Sequence, residues 1–127
     1  MIPVLAICIG ASAGALGRWG LGLWLSPSGA FIPWGTLAAN LIGGYLIGIC
    51  VAVFQALPQL DPVWRLALVT GFLGGLTTFS SFSAEVVSLL MQQRYLLALG
   101  TASMHVAGSL LLTVAGLWTA NHWLTPA

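Results

Sequence analysis

The chain has 127 residues, of which 59% are hydrophobic and only 4% are charged, with a formal net charge of +1. Soluble domains carry about 25% charged residues, so this composition excludes a soluble enzyme or a nucleic-acid-binding protein and predicts a membrane protein. The length permits one domain, residues 1–127, made of four spans of about 20 residues each.

The first predicted span runs from about Pro3 to Leu25 and ends at the turn signal Ser26-Pro27-Ser28-Gly29. Its apolar run is too long for a cleavable signal and no Lys or Arg precedes it, so we expect it to remain as a span. The second predicted span runs from about Ile32 to Leu57 and is closed by proline. Cys8 and Cys50 lie inside these apolar runs, where we expect free thiols.

The third predicted span runs from Trp64 to about Met91, and the fourth from Leu96 to about Trp118, which leaves a short tail at 121–123. Aromatic residues of the kind that mark membrane interfaces cluster at the predicted ends. They are Trp24, Trp34, Trp64, Tyr95, Trp118 and Trp123. This placement supports the prediction of four membrane spans.

Three arginines are the only basic residues that can orient the chain. Four spans put both termini and Arg65 on one side, with Arg18 and Arg94 on the other. One arginine on one side against two on the other is hardly a bias under the positive-inside rule. We therefore expect the chain to insert in both orientations and to pair as an antiparallel homodimer, although a single orientation fixed by another signal remains open.

Polar residues at membrane depth usually face a partner or a water-filled path. In the second span, Thr36 and Asn40 are one turn apart and share a face, which makes both candidates for a pathway; a structural Asn bonded across helices is the alternative. In the fourth span, hydroxyl and imidazole side chains recur every four residues and predict one polar stripe. They are Thr101, His105, Ser109 and Thr113.

Residues 71–85 of the third span read GFLGGLTTFSSFSAE. Glycines and hydroxyl residues at this density weaken a helix, so we predict a break near the centre of the span. Irregular backbone at membrane depth must be buried in protein or line a cavity. Phe79 and Phe82 would share a face of the helix that follows, and their positive ring edges could touch an anion. Because the route offers amide and hydroxyl donors and no ring of charges, the residues indicate a narrow path for a small anion.

Three stretches, 10–19, 35–43 and 71–85, resemble the Fluc family of fluoride channels, also called CrcB. The resemblance covers nearly the whole chain, and its core, TTFSSF at 77–82, is highly specific in a four-span chain of this size. It implies an all-α membrane protein whose third helix is broken near its centre, assembled as an antiparallel dual-topology homodimer. Two pores at the dimer interface would export fluoride passively across the bacterial inner membrane.

The resemblance also implies roles for individual residues. Asn40 would be the pore amide, the edges of Phe79 and Phe82 would contact fluoride, and the backbone carbonyls of Gly74 and Thr77 would hold a central structural sodium ion. The other pathway residues that it implies are Ser81, Glu85, His105, Ser109 and Thr113, with Arg18 near the vestibule. Many members carry Tyr where His105 stands, which leaves open whether this position titrates or acts as a hydroxyl-like donor.

Two other classes compete with a channel. A small proton-coupled multidrug antiporter also has four spans, but it needs a carboxylate embedded in the first span, and residues 3–25 contain no acid. A structural membrane anchor would leave the TTFSSF spacing and the polar stripe of the fourth span unexplained. The sequence therefore favours a fluoride channel, with fluoride, lipid and a second copy as its partners and no enzymatic activity.

Overall fold

A computed structural model describes residues 1–26 and 33–124, which are helical almost throughout. Within these ranges, four helical segments are long and apolar enough to cross a membrane, as predicted: Ile2–Leu25, Trp34–Ala56, Pro62–Met91 and Tyr95–Leu124. We label the first α1 and the second α2. The predicted turn at residues 27–29 and the predicted start at Ile32 lie outside the described residues. The chain is a multi-pass membrane protein.

The third span is a series of short elements and not one regular helix. It consists of α3 (Pro62–Arg65), a π-helix (Leu66–Leu73), α4 (Gly74–Leu76) and α5 (Phe79–Met91). Asp61 caps its start, because its Oδ1 accepts a hydrogen bond from the N–H of Val63 at 3.0 Å. Between α4 and α5 the backbone is extended, with φ −86° and ψ 154° at Thr77 and φ −150° and ψ 117° at Thr78.

The first and third spans run parallel, in contact through glycines. A Cβ added at Gly14 would collide with the backbone of Phe72, and one added at Gly75 would collide with the backbone of Ala11. Close backbone approach through small residues is the usual way in which helices associate in lipid. The glycine pairs at 10 and 14 and at 71 and 75, each four residues apart, therefore form this interface.

The second and fourth spans form the other parallel pair, and the fourth helix, α6, is Tyr95–Leu124. Gly44 faces the backbone of Ser109, and Gly48 faces the backbone of Thr113. Gly116 on α6 packs closely against α2 in the same way, since a Cβ there would collide with the carbonyl of Tyr45. Neither helix can carry a larger residue at these positions without separating from the other.

The predicted end of the fourth span at Trp118 is wrong, because α6 continues through the predicted tail to Leu124. No glycine or proline stops it within that stretch, and Thr119 bonds back to the carbonyl of Ala115 at 2.8 Å. The His122 ring stacks on Trp118, one turn earlier, with ring centroids 5.6 Å apart. The predicted tail is thus helical, and α6 runs six residues, somewhat under two turns, beyond Trp118.

Candidate functional site

A cavity of about 530 Å³ opens on the face where α2, the interrupted third span and α6 meet. Eight of the twelve residues predicted as site residues line it. They are Asn40, Gly74, Thr77, Phe79, Phe82, His105, Ser109 and Thr113. Residues far apart in sequence are thus brought to one place by the break in the third span.

Asn40 braces the break. Its Nδ2 donates to the carbonyl of Thr78 at 3.1 Å, and its Oδ1 accepts from the N–H of Thr78 at 2.8 Å. Because Oδ1 is the only one of the two amide atoms able to accept from an N–H, this pair also fixes which way the amide points. Asn40 therefore replaces the helical partners that Thr78 lacks.

The same amide reaches His105, whose ring is 5% exposed. Nδ2 of Asn40 lies 3.0 Å from Nδ1 of His105. An amide nitrogen only donates, so Nδ1 accepts and the imidazole proton is on Nε2. The arrangement selects a neutral imidazole with one N–H left to donate, and it engages both N–H groups of Asn40.

The aromatic rings stand beside this cluster. The centroids of Phe79 and Phe82 are 5.4 Å apart with an interplanar angle of 72°, an edge-to-face contact. Phe82 lies against His105 at 4.6 Å with the rings tilted by 31°. Phe79 is 76% exposed, although it lies near the middle of a membrane span. The predicted pairing of the two rings on one face is therefore present, with Phe79 uncovered.

Two hydroxyl groups of the polar stripe of α6 differ in whether their protons are already used in hydrogen bonds. The hydroxyl of Thr113 donates to the carbonyls of Gly44 and Ser109, both at 2.9 Å. Among the described residues, the hydroxyl of Ser109 has no hydrogen-bond partner, and it faces the cavity. Of these two positions, Ser109 has a donor available for a ligand, whereas the Thr113 proton serves backbone carbonyls.

The carbonyls predicted to bind sodium are released from the helical ladder. In a continuous helix the N–H of Thr78 would bond Gly74, and the N–H of Ser81 would bond Thr77. Instead, Thr78 donates to Asn40, and Ser81 donates to Oγ1 of Thr78 at 3.1 Å. Two hard oxygen atoms are thereby left without their usual donors at the cavity.

Four predicted residues do not line this cavity: Arg18, Thr36, Ser81 and Glu85. Arg18 lies against the break, where its Nε donates to the carbonyl of Gly75 at 3.2 Å. Thr36 and Glu85 interact with each other, and Oε2 of Glu85 is buried without a hydrogen-bond partner among the described residues. Ser81 accepts from Oγ1 of Thr78 at 3.2 Å, which leaves its own proton free.

These residues occupy two compartments. Thr36 and Glu85 lie one turn from Asn40 and Ser81, respectively, toward the end of the bundle at which α2 begins and α5 ends. The cavity extends from Asn40 in the other direction, toward Ile47 and Thr113. The cluster of Asn40, Thr78 and His105 separates the two.

Sequence reasoning missed the importance of Thr78 and Gly43. Thr78 is both the N-cap of α5 and the backbone partner of Asn40, and a Thr before an apolar helix start is a recognised capping signal. A Cβ at Gly43 would overlap the methyl group of Thr77. No local pattern reveals that contact, because it joins two different spans.

Comparison with known proteins gives a consistent result. A sequence model of the family described as "CrcB-like protein, Camphor Resistance (CrcB)" matches residues 5–117. A protein of Albidiferax ferrireducens named fluoride-specific ion channel FluC is 80% identical over 121 residues, covering 95% of this chain and 92% of the relative. Proteins with the same name from Variovorax paradoxus and Paracidovorax citrulli are 66% and 60% identical, over 92% and 98% of this chain and 93% and 98% of their own lengths.

Proposed function

This chain belongs to the CrcB family of fluoride channels, and on that premise we propose that it conducts fluoride passively out of the cell. The family consists of ion channels and not of enzymes. The observation that carries the proposal is the cavity at the break, which is lined by two phenylalanine rings and neutral polar side chains, with no charged side chain among its lining residues. A multidrug antiporter is not favoured, because the first span contains no acid.

The available donors suit a small anion. The Nε2–H of His105, the free hydroxyl of Ser109 and the positive edges of Phe79 and Phe82 can each replace part of its hydration shell. No single one of them is a full charge, so binding is weak enough for the ion to leave. We propose that fluoride moves along these donors, past Asn40, to Ser81, Thr36 and Glu85.

Asn40 has a specific part in this route. Its two bonds to Thr78 form a closed pair, whereas its contact with His105 is a single hydrogen bond. We propose that an arriving fluoride accepts the N–H of Asn40 that otherwise donates to His105, while both hydrogen bonds between Asn40 and Thr78 remain. The pore amide would then act without loss of the break that it braces.

The cavity requires a cover at membrane depth, and a second copy of the chain is the cover that we propose. Phe79, 76% exposed on the isolated subunit, would be enclosed by it. The even distribution of Arg18, Arg65 and Arg94 favours opposite orientations of the two copies. The dimer would hold two pores and lie in the bacterial inner membrane.

A sodium ion at the dimer centre is consistent with the donor set. The carbonyl oxygens of Gly74 and Thr77 are hard ligands released from the ladder, and two copies would supply four. The carbonyl of Gly75, which lies between Gly74 and Thr77 in sequence, accepts a hydrogen bond from Arg18. We propose that the ion, when bound, neutralises the carbonyl dipoles and holds the two breaks together, with no part in transport.

Fluoride efflux from liposomes that contain the purified protein tests the proposal. A fluoride electrode follows efflux after a potassium ionophore removes the charge imbalance, and a chloride electrode follows matched vesicles. We expect fluoride to leave without an applied proton gradient while chloride is retained. Equal chloride efflux, or efflux that requires a proton gradient, would contradict the proposed function.

A further inference from the structure

A second cavity, separate from the first, lies at the carboxyl end of α2, near residues 57–61. It has a volume of about 280 Å³. Its walls are Ile49, Val53 and Phe54 from the last turns of α2, together with Trp64 and Leu68 from the start of the third span. Every one of these side chains is apolar, so the cavity is suited to a hydrocarbon and not to an ion.

One cation stands at the edge of this cavity. The guanidinium carbon of Arg65 lies 5.2 Å from the centre of the Phe54 ring, within the range of a cation–π contact. Within the described residues, Arg65 makes no hydrogen bond and no ion pair. A guanidinium that contacts a ring through its face has its N–H donors in its own plane, where they can bind a phosphate through two parallel hydrogen bonds.

The depth of the cavity matches the membrane boundary. Arg65 is three residues from the helix start at Pro62, or about 4.5 Å at the rise of a helix. Cys50, in the inner wall, is six residues before the end of α2 at Ala56, or about 9 Å along the axis. Trp64, an interfacial residue type, lies one residue nearer the helix start than Arg65. The cavity thus extends from headgroup level into the hydrocarbon.

We propose that this cavity is a binding site for an anionic phospholipid, with one acyl chain between α2 and the third span and the phosphate held by Arg65. Charge complementarity selects the headgroup, since the charged side chain in contact with the cavity wall, at Phe54, is a cation that makes no hydrogen bond or ion pair among the described residues. Asp61, the nearby acid, is committed to the start of α3, where it caps the N–H of Val63. The site does not depend on fluoride conduction.

The test uses the full chain in detergent, offered an equimolar mixture of phosphatidylglycerol and phosphatidylcholine with identical acyl chains. Native mass spectrometry counts the lipids retained by the protein. We expect the parent to prefer phosphatidylglycerol by about tenfold, the value of one charge-assisted hydrogen bond. Arg65→Gln should bring the ratio close to one, whereas Arg94→Gln, which removes the same charge at the other end of the bundle, should leave it unchanged.

A variant that fills the cavity separates chain binding from headgroup binding. Val53→Trp should lower the retention of both lipids, while Arg65→Gln should lower only that of phosphatidylglycerol. No preference in the parent, or equal loss in Arg65→Gln and Arg94→Gln, would overturn the proposal. If Val53→Trp does not fold, the two arginine variants decide the matter, provided that both give the parent's yield of folded protein; Arg65 is exposed and Arg94 is half-buried.

Discussion

Asn40 forms two hydrogen bonds with one residue, Thr78, through the two ends of its amide, at 3.1 Å to the carbonyl and 2.8 Å from the N–H. In Asn40→Ala both backbone groups of Thr78 lose their partner. Interhelical hydrogen bonds in membranes contribute about 0.6 kcal/mol on average and up to about 1.7 kcal/mol each, so we expect a loss of about 1–3 kcal/mol and of fluoride flux. Unfolding in detergent and liposome efflux measure the two effects. Thr113→Val, which removes a hydrogen bond from α6 to the carbonyl of Gly44 on α2, is the control and should cost less; equal stability of Asn40→Ala and the parent would contradict the role of Asn40 at the break.

The two phenylalanine rings are tested by replacing their edges and keeping their bulk. Phe79→Ile and Phe82→Ile remain large and apolar but lack a positive ring edge. We expect fluoride efflux to fall by at least about tenfold in each, the equivalent of roughly 1.4 kcal/mol at the barrier, with little change in the yield of folded protein. If both variants conduct within a few-fold of the parent, the rings are packing residues only.

His105 is tested by its role as an acceptor for Asn40. His105→Gln can still accept through its carbonyl oxygen and donate through its amide, whereas His105→Phe can do neither. We expect efflux to be largely kept in the first variant and reduced by at least about tenfold in the second, the loss of roughly one polar contact of about 1.4 kcal/mol. Similar efflux in both would show that the imidazole nitrogen atoms do not contribute to the route.

Dual orientation is tested by adding charge at one end. Since α6 includes every residue up to Leu124, we place two lysines after residue 124, where they replace none of its side chains. They should drive nearly all molecules to one orientation, and fluoride resistance of the cells should then be lost because antiparallel partners are scarce. Co-expression of a copy biased the other way should restore it. Full resistance with the biased copy alone would contradict an antiparallel dimer.

The proposed sodium site is tested by ion removal. When sodium is replaced exhaustively by a large organic cation, we expect fluoride efflux to fall, and to recover on return of sodium, because the carbonyls of Gly74 and Thr77 would repel one another without it. Thr77→Val is a suitable control, since the Thr77 hydroxyl bonds the carbonyl of Leu73 at 2.8 Å and not the cavity. Efflux that survives prolonged sodium depletion would count against the site.

The sequence predicted the membrane spans well where strong local signals end them. The ends predicted at Leu25, Leu57 and Met91 differ by at most one residue from those observed. The prediction was wrong at Trp118, because Asn121 and His122 are polar without being helix breakers. The π-helix at 66–73 was not predicted, since nothing in an apolar run distinguishes it from an α-helix.

The candidate site was predictable by residue type and only in part by arrangement. The break places Asn40 opposite Thr78, and this relationship depends on how two spans pack, which a helical period does not encode. The same holds for Thr113, which belongs to the predicted stripe but whose proton goes to the carbonyls of Gly44 and Ser109. Local sequence identifies polar groups at depth, whereas tertiary contacts decide which of them retain a free donor.

The reciprocal glycine contacts between α2 and α6 restrict how the protein can move. A slide of α6 by one helical turn, about 5.4 Å, would bring Leu112 or Ala120 to the carbonyl of Tyr45 in place of Gly116, where no Cβ fits. The contact between α2 and α6 therefore fits in one register only, and the two helices cannot slide past each other by a turn. A rearrangement of the chain that keeps this contact would therefore move α2 and α6 together as one unit.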